Sequence, residues 1–127
     1  MQVLLSTLLL VNLAVAGPVV INEATKITYT GTTKDGVEQY QGIKFAADTS
    51  GENRFKLPQP YAPAEGSEVD GTKVGASCPQ ATPGCVPFMS DIPYQSEDCL
   101  NLRIARPADP KTYEKPLPVM VYIYGGE

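Results

Sequence analysis

The chain has 127 residues, of which 43% are hydrophobic and 19% are charged, a composition typical of a globular protein of at most one small domain. Ten basic and fourteen acidic residues give a net charge of −4, which favours neither nucleic acid nor an anionic membrane surface as a partner. The sequence contains no histidine, so a mechanism that needs an imidazole base cannot be completed by these residues alone.

Residues 1–16 are predicted to be a secretory signal peptide. The stretch from Val3 to Val15 is almost wholly apolar, and the tripeptide Ala-Val-Ala at 14–16 supplies the small residues that signal peptidase accepts, so cleavage is expected before Gly17. The alternative is a membrane anchor, but the apolar run is shorter than the roughly 20 residues that span a bilayer. We therefore expect a secreted, extracellular protein without a stable membrane anchor.

Three cysteines, Cys78, Cys85 and Cys99, are expected to be structural in a secreted protein. Three thiols allow one internal disulfide and leave one cysteine over. Their spacing does not match CxxC or another zinc-ligand pattern, and the sequence has no histidine to complete a site. We therefore predict no metal site and no cofactor.

A peripheral β-hairpin is predicted between residues 24 and 47. Residues 26–30 place β-branched and aromatic side chains at alternate positions, which is typical of a strand. Asp35-Gly36 is a turn signal, and residues 37–45 provide the second strand of the hairpin.

The segment from Asp48 to Asp98 is predicted to be a long loop without regular structure, because it contains seven prolines and shows little periodicity. A structureless run of this length is abnormal inside a compact domain. The segment is therefore either disordered or lies across a scaffold supplied by something else. The second alternative is favoured by the segment's apolar and aromatic side chains, which are Phe55, Leu57, Tyr61, Phe88, Met89, Ile92 and Tyr94.

Two further strands are predicted near the carboxyl end. Cys99–Ala105 alternates apolar and polar residues, which indicates a half-buried strand. Val119–Tyr124 is apolar throughout, which indicates a central strand buried on both faces, and Gly125-Gly126 is interpreted as a sharp turn directly after it. An exposed strand of this kind would promote aggregation, so we do not expect the chain to fold autonomously.

Four stretches in this order resemble the amino-terminal part of the type-B carboxylesterase/lipase family, whose members include fungal lipases and the cholinesterases. Residues 42–46 (GIKFA) resemble the family's GIPYA element, and residues 53–58 (NRFKLP) resemble its xRFxxP element. Residues 96–102 (SEDCLNL) resemble its EDCL signature, and residues 119–127 resemble the strand and Gly-Gly turn of its oxyanion hole. The order of the four stretches makes the resemblance specific.

The resemblance implies an α/β fold, namely the amino-terminal portion of an α/β-hydrolase. This portion comprises a small β-hairpin, a long loop bounded by a disulfide and the first strands of the central sheet. On this interpretation residues 17–127 correspond to about the first fifth of a carboxylesterase domain, truncated after the oxyanion-hole strand.

The resemblance also implies a role for the Gly-Gly turn. In the family, backbone N–H groups at this turn stabilise the oxyanion that forms on the carbonyl oxygen of the substrate. Carried over, the donors are the N–H groups of Gly126 and Glu127, and Gly125 allows the close approach of the backbone. Glu127 departs from the family's usual small residue, and its carboxylate would be unfavourable near an oxyanion unless it turns away. The alternative interpretation, from the residues alone, is that Gly-Gly simply ends a strand.

The cysteines acquire an expected pairing from the same resemblance. Cys78 and Cys99 match the cysteines that the family joins into a loop beside the active site. Cys85 is then spare, either free or paired with a cysteine outside this sequence.

Two further side-chain roles follow from the resemblance. Arg54 and Glu97 match an arginine and a glutamate that the family pairs, and we interpret them as a structural ion pair between loop and strand. Phe88 and Met89 lie in the segment that corresponds to the lid of the lipases. They are expected either to contact an acyl chain or to pack under the loop.

The function that the resemblance implies is that of a carboxylic-ester hydrolase with a serine nucleophile in a GxSxG motif, a histidine and an acidic residue. The 127 residues contain neither that motif nor a histidine, so these residues alone are expected to be inactive. The expected substrate is a small-molecule or lipid ester. A choline ester is not expected, since the sequence has no tryptophan to hold the cation.

Two alternatives to the hydrolase remain open. One is a secreted binding or interaction protein with its own role. The other is a non-catalytic relative of the esterases, comparable to their adhesion-type members.

Overall fold

The computed structural model describes residues 17–80, 92, 94–109 and 113–124. Several predicted features lie outside these residues, namely the signal peptide (residues 1–16), Cys85, Phe88, Met89 and the turn Gly125–Glu127. Within the described residues, no helix has the length and apolar character needed to cross a membrane.

Six short strands form two three-stranded sheets. In chain order the strands are β1 (Val19–Ile21), β2 (Thr28–Thr30), β3 (Thr32–Lys34), β4 (Val37–Lys44), β5 (Glu68–Asp70) and β6 (Asn101–Pro107). The described part of the chain also contains a 3₁₀ turn at Gly51–Asn53.

The first sheet has the order β1-β2-β5, in which β2 is antiparallel to β1 and parallel to β5. Tyr29 lies at its centre, opposite Val20 on one side and Val69 on the other. We predicted no regular structure between Asp48 and Asp98, and β5 shows that this prediction was wrong there. A three-residue strand is too short to leave a periodicity in the sequence, and β5 exists because β2 offers it backbone partners.

The second sheet has the order β3-β4-β6 and is antiparallel throughout. The predicted turn at Asp35-Gly36 is confirmed, because β3 and β4 form a hairpin in which Lys34 pairs with Val37. The first arm of the hairpin is Thr32–Lys34, so the prediction that residues 26–30 form that arm was wrong.

Gly31 separates β2, which falls within the predicted first arm and lies in the first sheet, from β3, the observed first arm, which lies in the second sheet. It lies between β2 and β3 and is buried against β4. A Cβ atom at this position would lie 2.6 Å from the carbonyl oxygen of Gln39 and 2.8 Å from the ring of Tyr40. The close approach explains why the chain leaves the first sheet for the second at a glycine.

Tyr40 is the largest of the four buried hydrophobic residues in the described chain, which are Ile27, Tyr40, Ala46 and Ala76. Its hydroxyl donates a hydrogen bond to Glu38 Oε2 at 3.1 Å, and Arg106 Nε donates to the same oxygen at 2.7 Å. Burial, followed by the hydrogen bond to Glu38, raises the pKa of Tyr40. The guanidinium carbon of Arg106 lies 5.7 Å from the centre of the Tyr40 ring, so one cluster joins β4 to β6.

The prediction of a strand after Cys99 is confirmed, with the observed strand shifted to Asn101–Pro107. We expected the apolar face of this strand to be buried, and this was wrong, since Leu102 and Ile104 on that face are 40% and 50% exposed. β6 pairs with β4 along one edge. The alternating pattern predicts one buried face, but the described residues bury neither face of β6.

The prediction that Val119–Tyr124 forms a buried strand was also wrong for the described residues. This segment has no strand assignment, and exposure of its side chains runs from 73% at Tyr124 to 92% at Met120. A strand requires a neighbouring strand for its backbone N–H and C=O groups. No described strand pairs with this segment, so the apolar run stays unpaired here.

A β-bulge at Gly42 bends β4 where it passes β6. The register shifts between the pairs of Tyr40 and Ile43, and Gly42 has a φ of +62°. A Cβ atom at Gly42 would lie 2.9 Å from the carbonyl oxygen of Lys73. The bulge therefore needs glycine both for its backbone conformation and for the passage of residues 73–75.

We expect Gly42→Ala to destabilise the full-length protein by about 3 kcal/mol, because it adds a steric clash to the cost of a left-handed backbone. Gly51→Ala is the matched control, since Gly51 has a φ of +54° and a Cβ atom there would meet nothing within 4 Å. It should cost about 1 kcal/mol. Urea unfolding measures both, and equal losses would contradict the role given to the Lys73 contact.

Candidate functional site

A disulfide between Cys78 and Cys99 closes the loop that the sequence suggested, with a Cα–Cα distance of 5.0 Å and a sequence separation of 21. On the chain-entropy model, a bridge across a loop of this size stabilises by roughly 3 kcal/mol. The bonded pair is the one that the resemblance implied.

Two arms lead into this loop next to the disulfide, residues 76–80 and residues 94–99, and backbone hydrogen bonds hold them together. Ser77 N donates to the carbonyl oxygen of Tyr94 at 3.1 Å, and Ser96 N donates to that of Ser77 at 3.0 Å. Ser77 and Gln95 form a parallel β-bridge. In addition, Gln80 N donates to Gln95 Oε1 at 2.9 Å.

Asn101, the first residue of β6, links the same two arms through its side-chain amide. Its Nδ2 donates to the carbonyl oxygen of Ala76 at 2.9 Å and to that of Cys99 at 3.0 Å. The side chain lies directly against Gly75, where a Cβ atom would be only 2.4 Å from it. Gly75 therefore provides the space that the Asn101 amide fills.

Three side chains from residues 44–54 anchor the segment before Cys99. Arg54 Nε lies 2.6 Å from Glu97 Oε1, and Thr49 Oγ1 donates to the carbonyl oxygen of Glu97 at 2.6 Å. Lys44 Nζ forms an ion pair with Asp98 and donates a hydrogen bond to its carboxylate, and this hydrogen bond raises the pKa of Lys44. The ion pair expected between Arg54 and Glu97 thus belongs to a wider set of attachments.

A shallow surface pocket of about 290 Å³ lies beside these anchors, lined by Thr49, Arg54, Phe55, Pro79, Glu97 and Cys99. Phe55 has a φ of +62° and is 94% exposed, and the guanidinium carbon of Arg54 lies 4.8 Å from the centre of its ring. Leu57 is 84% exposed. The described residues therefore provide no cover for these apolar side chains, which we predicted to lie across a scaffold.

The structure brings Cys78, Cys99, Arg54 and Glu97 together at one place, the base of the disulfide loop. Sequence reasoning missed the contributions of other residues, namely Lys44, Thr49, Gln95, Asp98 and Asn101. Asn101 directly follows the EDCL signature, but its type and position do not indicate which carbonyl groups it meets. The described contacts are ion pairs, hydrogen bonds and a disulfide, which position a loop rather than transfer protons.

A carboxylesterase family model matches residues 24–127 of the chain. An inactive carboxylesterase-like protein of Byssochlamys spectabilis, VdtD, is 47% identical over 116 residues, which cover 87% of this chain and 19% of that protein. A secreted lipase of Arthroderma benhamiae is 43% identical over 114 residues, which cover 90% of this chain and 20% of that protein. The chain thus spans about a fifth of the length of these relatives.

Solved structures agree with this match. A PNB esterase superposes with a TM-score of 0.58 at 33% identity, covering 72% of this chain and 18% of the esterase. EstA of Aspergillus niger superposes with a TM-score of 0.53 at 30% identity, covering 73% of this chain and 17% of EstA. These structural neighbours are esterases of the α/β-hydrolase fold, and the two small sheets and the disulfide correspond to an amino-terminal fragment of it.

A double-mutant cycle on Arg54→Met and Glu97→Gln should give a coupling of about 0.2–1 kcal/mol, because solvent screens an exposed ion pair. The two side chains are 58% and 33% exposed. Urea unfolding of the full-length variants measures the coupling free energy.

The matched control is the pair of Glu23 and Lys26, which is more exposed at 84% and 59% and should couple less strongly. A coupling above about 2 kcal/mol for Arg54 and Glu97 would contradict a solvent-screened pair.

Proposed function

Because the chain belongs to the carboxylesterase family, we propose that it is the amino-terminal part of a secreted carboxylic-ester hydrolase that uses a serine nucleophile. Residues 1–16 act as the signal peptide, and residues 17–127 begin the carboxylesterase domain. The single observation that carries this proposal is the family match over residues 24–127. The secreted lipase of Arthroderma benhamiae supports both secretion and action on an ester.

In this proposal the residues described above form the rigid surroundings of the active site. The loop base is fixed by a disulfide, by backbone pairing and by the anchors on Glu97 and Asp98. Such fixed attachments hold neighbouring groups in place without reorganisation during the reaction. Phe88 and Met89, within the same loop, contact the acyl chain of a small-molecule or lipid ester.

The turn after residue 124 supplies two hydrogen-bond donors to the reaction. The N–H groups of Gly126 and Glu127 donate to the oxyanion, and Gly125 allows the backbone to approach. Loss of one such donor typically lowers the rate by about 10²–10³. The serine, histidine and acidic residue come from outside these 127 residues.

A second candidate is a non-catalytic, secreted binding or interaction protein derived from the esterase fold. The observation that favours it is the 47% identity to a relative named as an inactive carboxylesterase-like protein. Glu127 is compatible with this alternative, since a carboxylate near the oxyanion opposes catalysis.

A serine-directed fluorophosphonate probe distinguishes the two candidates when it is applied to the secreted full-length protein. We expect the probe to label the protein and p-nitrophenyl esters of graded chain length to be hydrolysed. The control is a variant whose GxSxG serine is replaced by alanine, which should lose both properties. Folded protein with neither labelling nor hydrolysis would reject the hydrolase and leave the non-catalytic candidate.

The variant Glu127→Gln should raise kcat/KM by about tenfold, or roughly 1.4 kcal/mol of transition-state stabilisation. Glutamine keeps the size and the backbone N–H of Glu127 but removes the negative charge beside the oxyanion. Steady-state kinetics on one p-nitrophenyl ester measures the change, with Glu114→Gln as an exposed control that should leave kcat/KM unaltered. A lower kcat/KM in Glu127→Gln would show that the carboxylate assists the reaction.

A further inference from the structure

The base of the Cys78–Cys99 loop is closed twice, once by the disulfide and once by hydrogen bonds that involve no sulfur atom. We propose that these hydrogen bonds, made by Ser77, Gln95 and Asn101 and here called the loop-base clamp, select the pairing of Cys78 with Cys99 over the pairs available to Cys85. The proposal concerns formation of the disulfide and is independent of ester hydrolysis.

Chain entropy by itself favours another pairing. Cys78 and Cys85 are seven positions apart in the sequence, whereas Cys78 and Cys99 are separated by 21. Because the probability of loop closure falls with about the 3/2 power of loop length, the shorter pair is favoured about fivefold in a flexible chain. The observed pairing therefore needs a selecting interaction.

Hydrogen bonds lie on both sides of Cys78. Before it, Ser77 N donates to the carbonyl oxygen of Tyr94 at 3.1 Å and the carbonyl oxygen of Ser77 accepts from Ser96 N at 3.0 Å. After it, Gln80 N donates to Gln95 Oε1 at 2.9 Å. The backbone that carries Cys78 is thus held against the arm that leads to Cys99.

Asn101 fixes the backbone of Cys99 in the same way. One amide nitrogen donates to Ala76 on the first arm, at 2.9 Å, and to Cys99 on the second, at 3.0 Å. The Cα atoms of Cys78 and Cys99 are then 5.0 Å apart, within the range of about 4.4–6.8 Å that a disulfide requires. In this proposal the same hydrogen bonds form in the reduced chain and bring the two thiols together before either is oxidised.

The oxidation itself needs an external disulfide, for which oxidised glutathione serves. The Cys78 thiolate attacks glutathione disulfide, a mixed disulfide forms and one glutathione thiolate leaves. The Cys99 thiolate then attacks the sulfur of Cys78 and releases the second glutathione thiolate. Two protein thiols and one glutathione disulfide become one protein disulfide and two glutathiones, which carry the two protons.

The test is oxidative refolding of the reduced full-length protein in a glutathione buffer. Free thiols are blocked with N-ethylmaleimide at successive times, and mass spectrometry then identifies which cysteine is blocked. In the wild type we expect the Cys78–Cys99 pair to prevail over the Cys78–Cys85 pair. In Asn101→Ala and Gln95→Ala, the early ratio of Cys78–Cys85 to Cys78–Cys99 should rise at least about fivefold, the bias of the flexible chain.

Asn22→Ala is the matched control, because the Asn22 side chain also binds backbone, accepting hydrogen bonds from Ala24 N and Thr25 N in a turn away from the loop. It should leave the wild-type ratio unaltered. A wild-type ratio in both clamp variants would overturn the proposal, as would an equal shift in the control.

The double variant Asn101→Ala with Cys85→Ser separates mispairing from a general failure to fold. If the clamp selects between partners, removing the competitor restores the Cys78–Cys99 pair. Failure of this pair to form in the double variant would overturn the proposal, because the defect of Asn101→Ala would then be one of folding rather than of selection.

Discussion

The described structure depends on the antiparallel pairing of β4 with β6, which joins two parts of the chain that are far apart in sequence. Lys44, at the end of β4, contacts Asp98, 54 positions later and just before β6. Bringing such distant segments together costs chain entropy before any contact compensates. The Tyr40, Glu38 and Arg106 cluster, the disulfide and the Asn101 amide all lie along this junction and offset that cost.

The contacts at this junction are important for stability because the hydrophobic core of the described residues is small. Its four buried hydrophobic residues include two alanines, and the large side chains of Phe55, Leu57 and Met120 are exposed. Hydrophobic stabilisation scales with the apolar area removed from water, so this core contributes little. Paired backbone, ion pairs and one covalent bond hold the described residues together instead.

The same junction gives the proposed hydrolase its fixed surroundings. The loop that contains Phe88 and Met89 starts and ends at Cys78 and Cys99, and its base is attached to residues 44–54 as well as to β6. In the proposed function, Phe88 and Met89 contact the substrate and other residues hold the loop. Arg54 and Glu97 belong to the second group, because they bind each other and the surrounding loop.

The sequence by itself determined features that depend on neighbouring residues or on a spaced motif. Asp35-Gly36 specified a hairpin turn because its backbone preference is local, and the alternation after Cys99 specified a strand because its period is two. The order of RF, EDCL and Gly-Gly indicated the family, and the resemblance to that family implied the disulfide and the Arg54–Glu97 pair.

Only the tertiary structure decided which segments pair, since pairing depends on partners that are distant in sequence. It divided residues 28–34 between two sheets at Gly31, made a strand of Glu68–Asp70 by pairing it with β2, and left Val119–Tyr124 unpaired among the described residues. It also gave Asn101 its two carbonyl partners. An asparagine side chain can bind many backbone groups, and only the folded chain brings Ala76 and Cys99 within its reach.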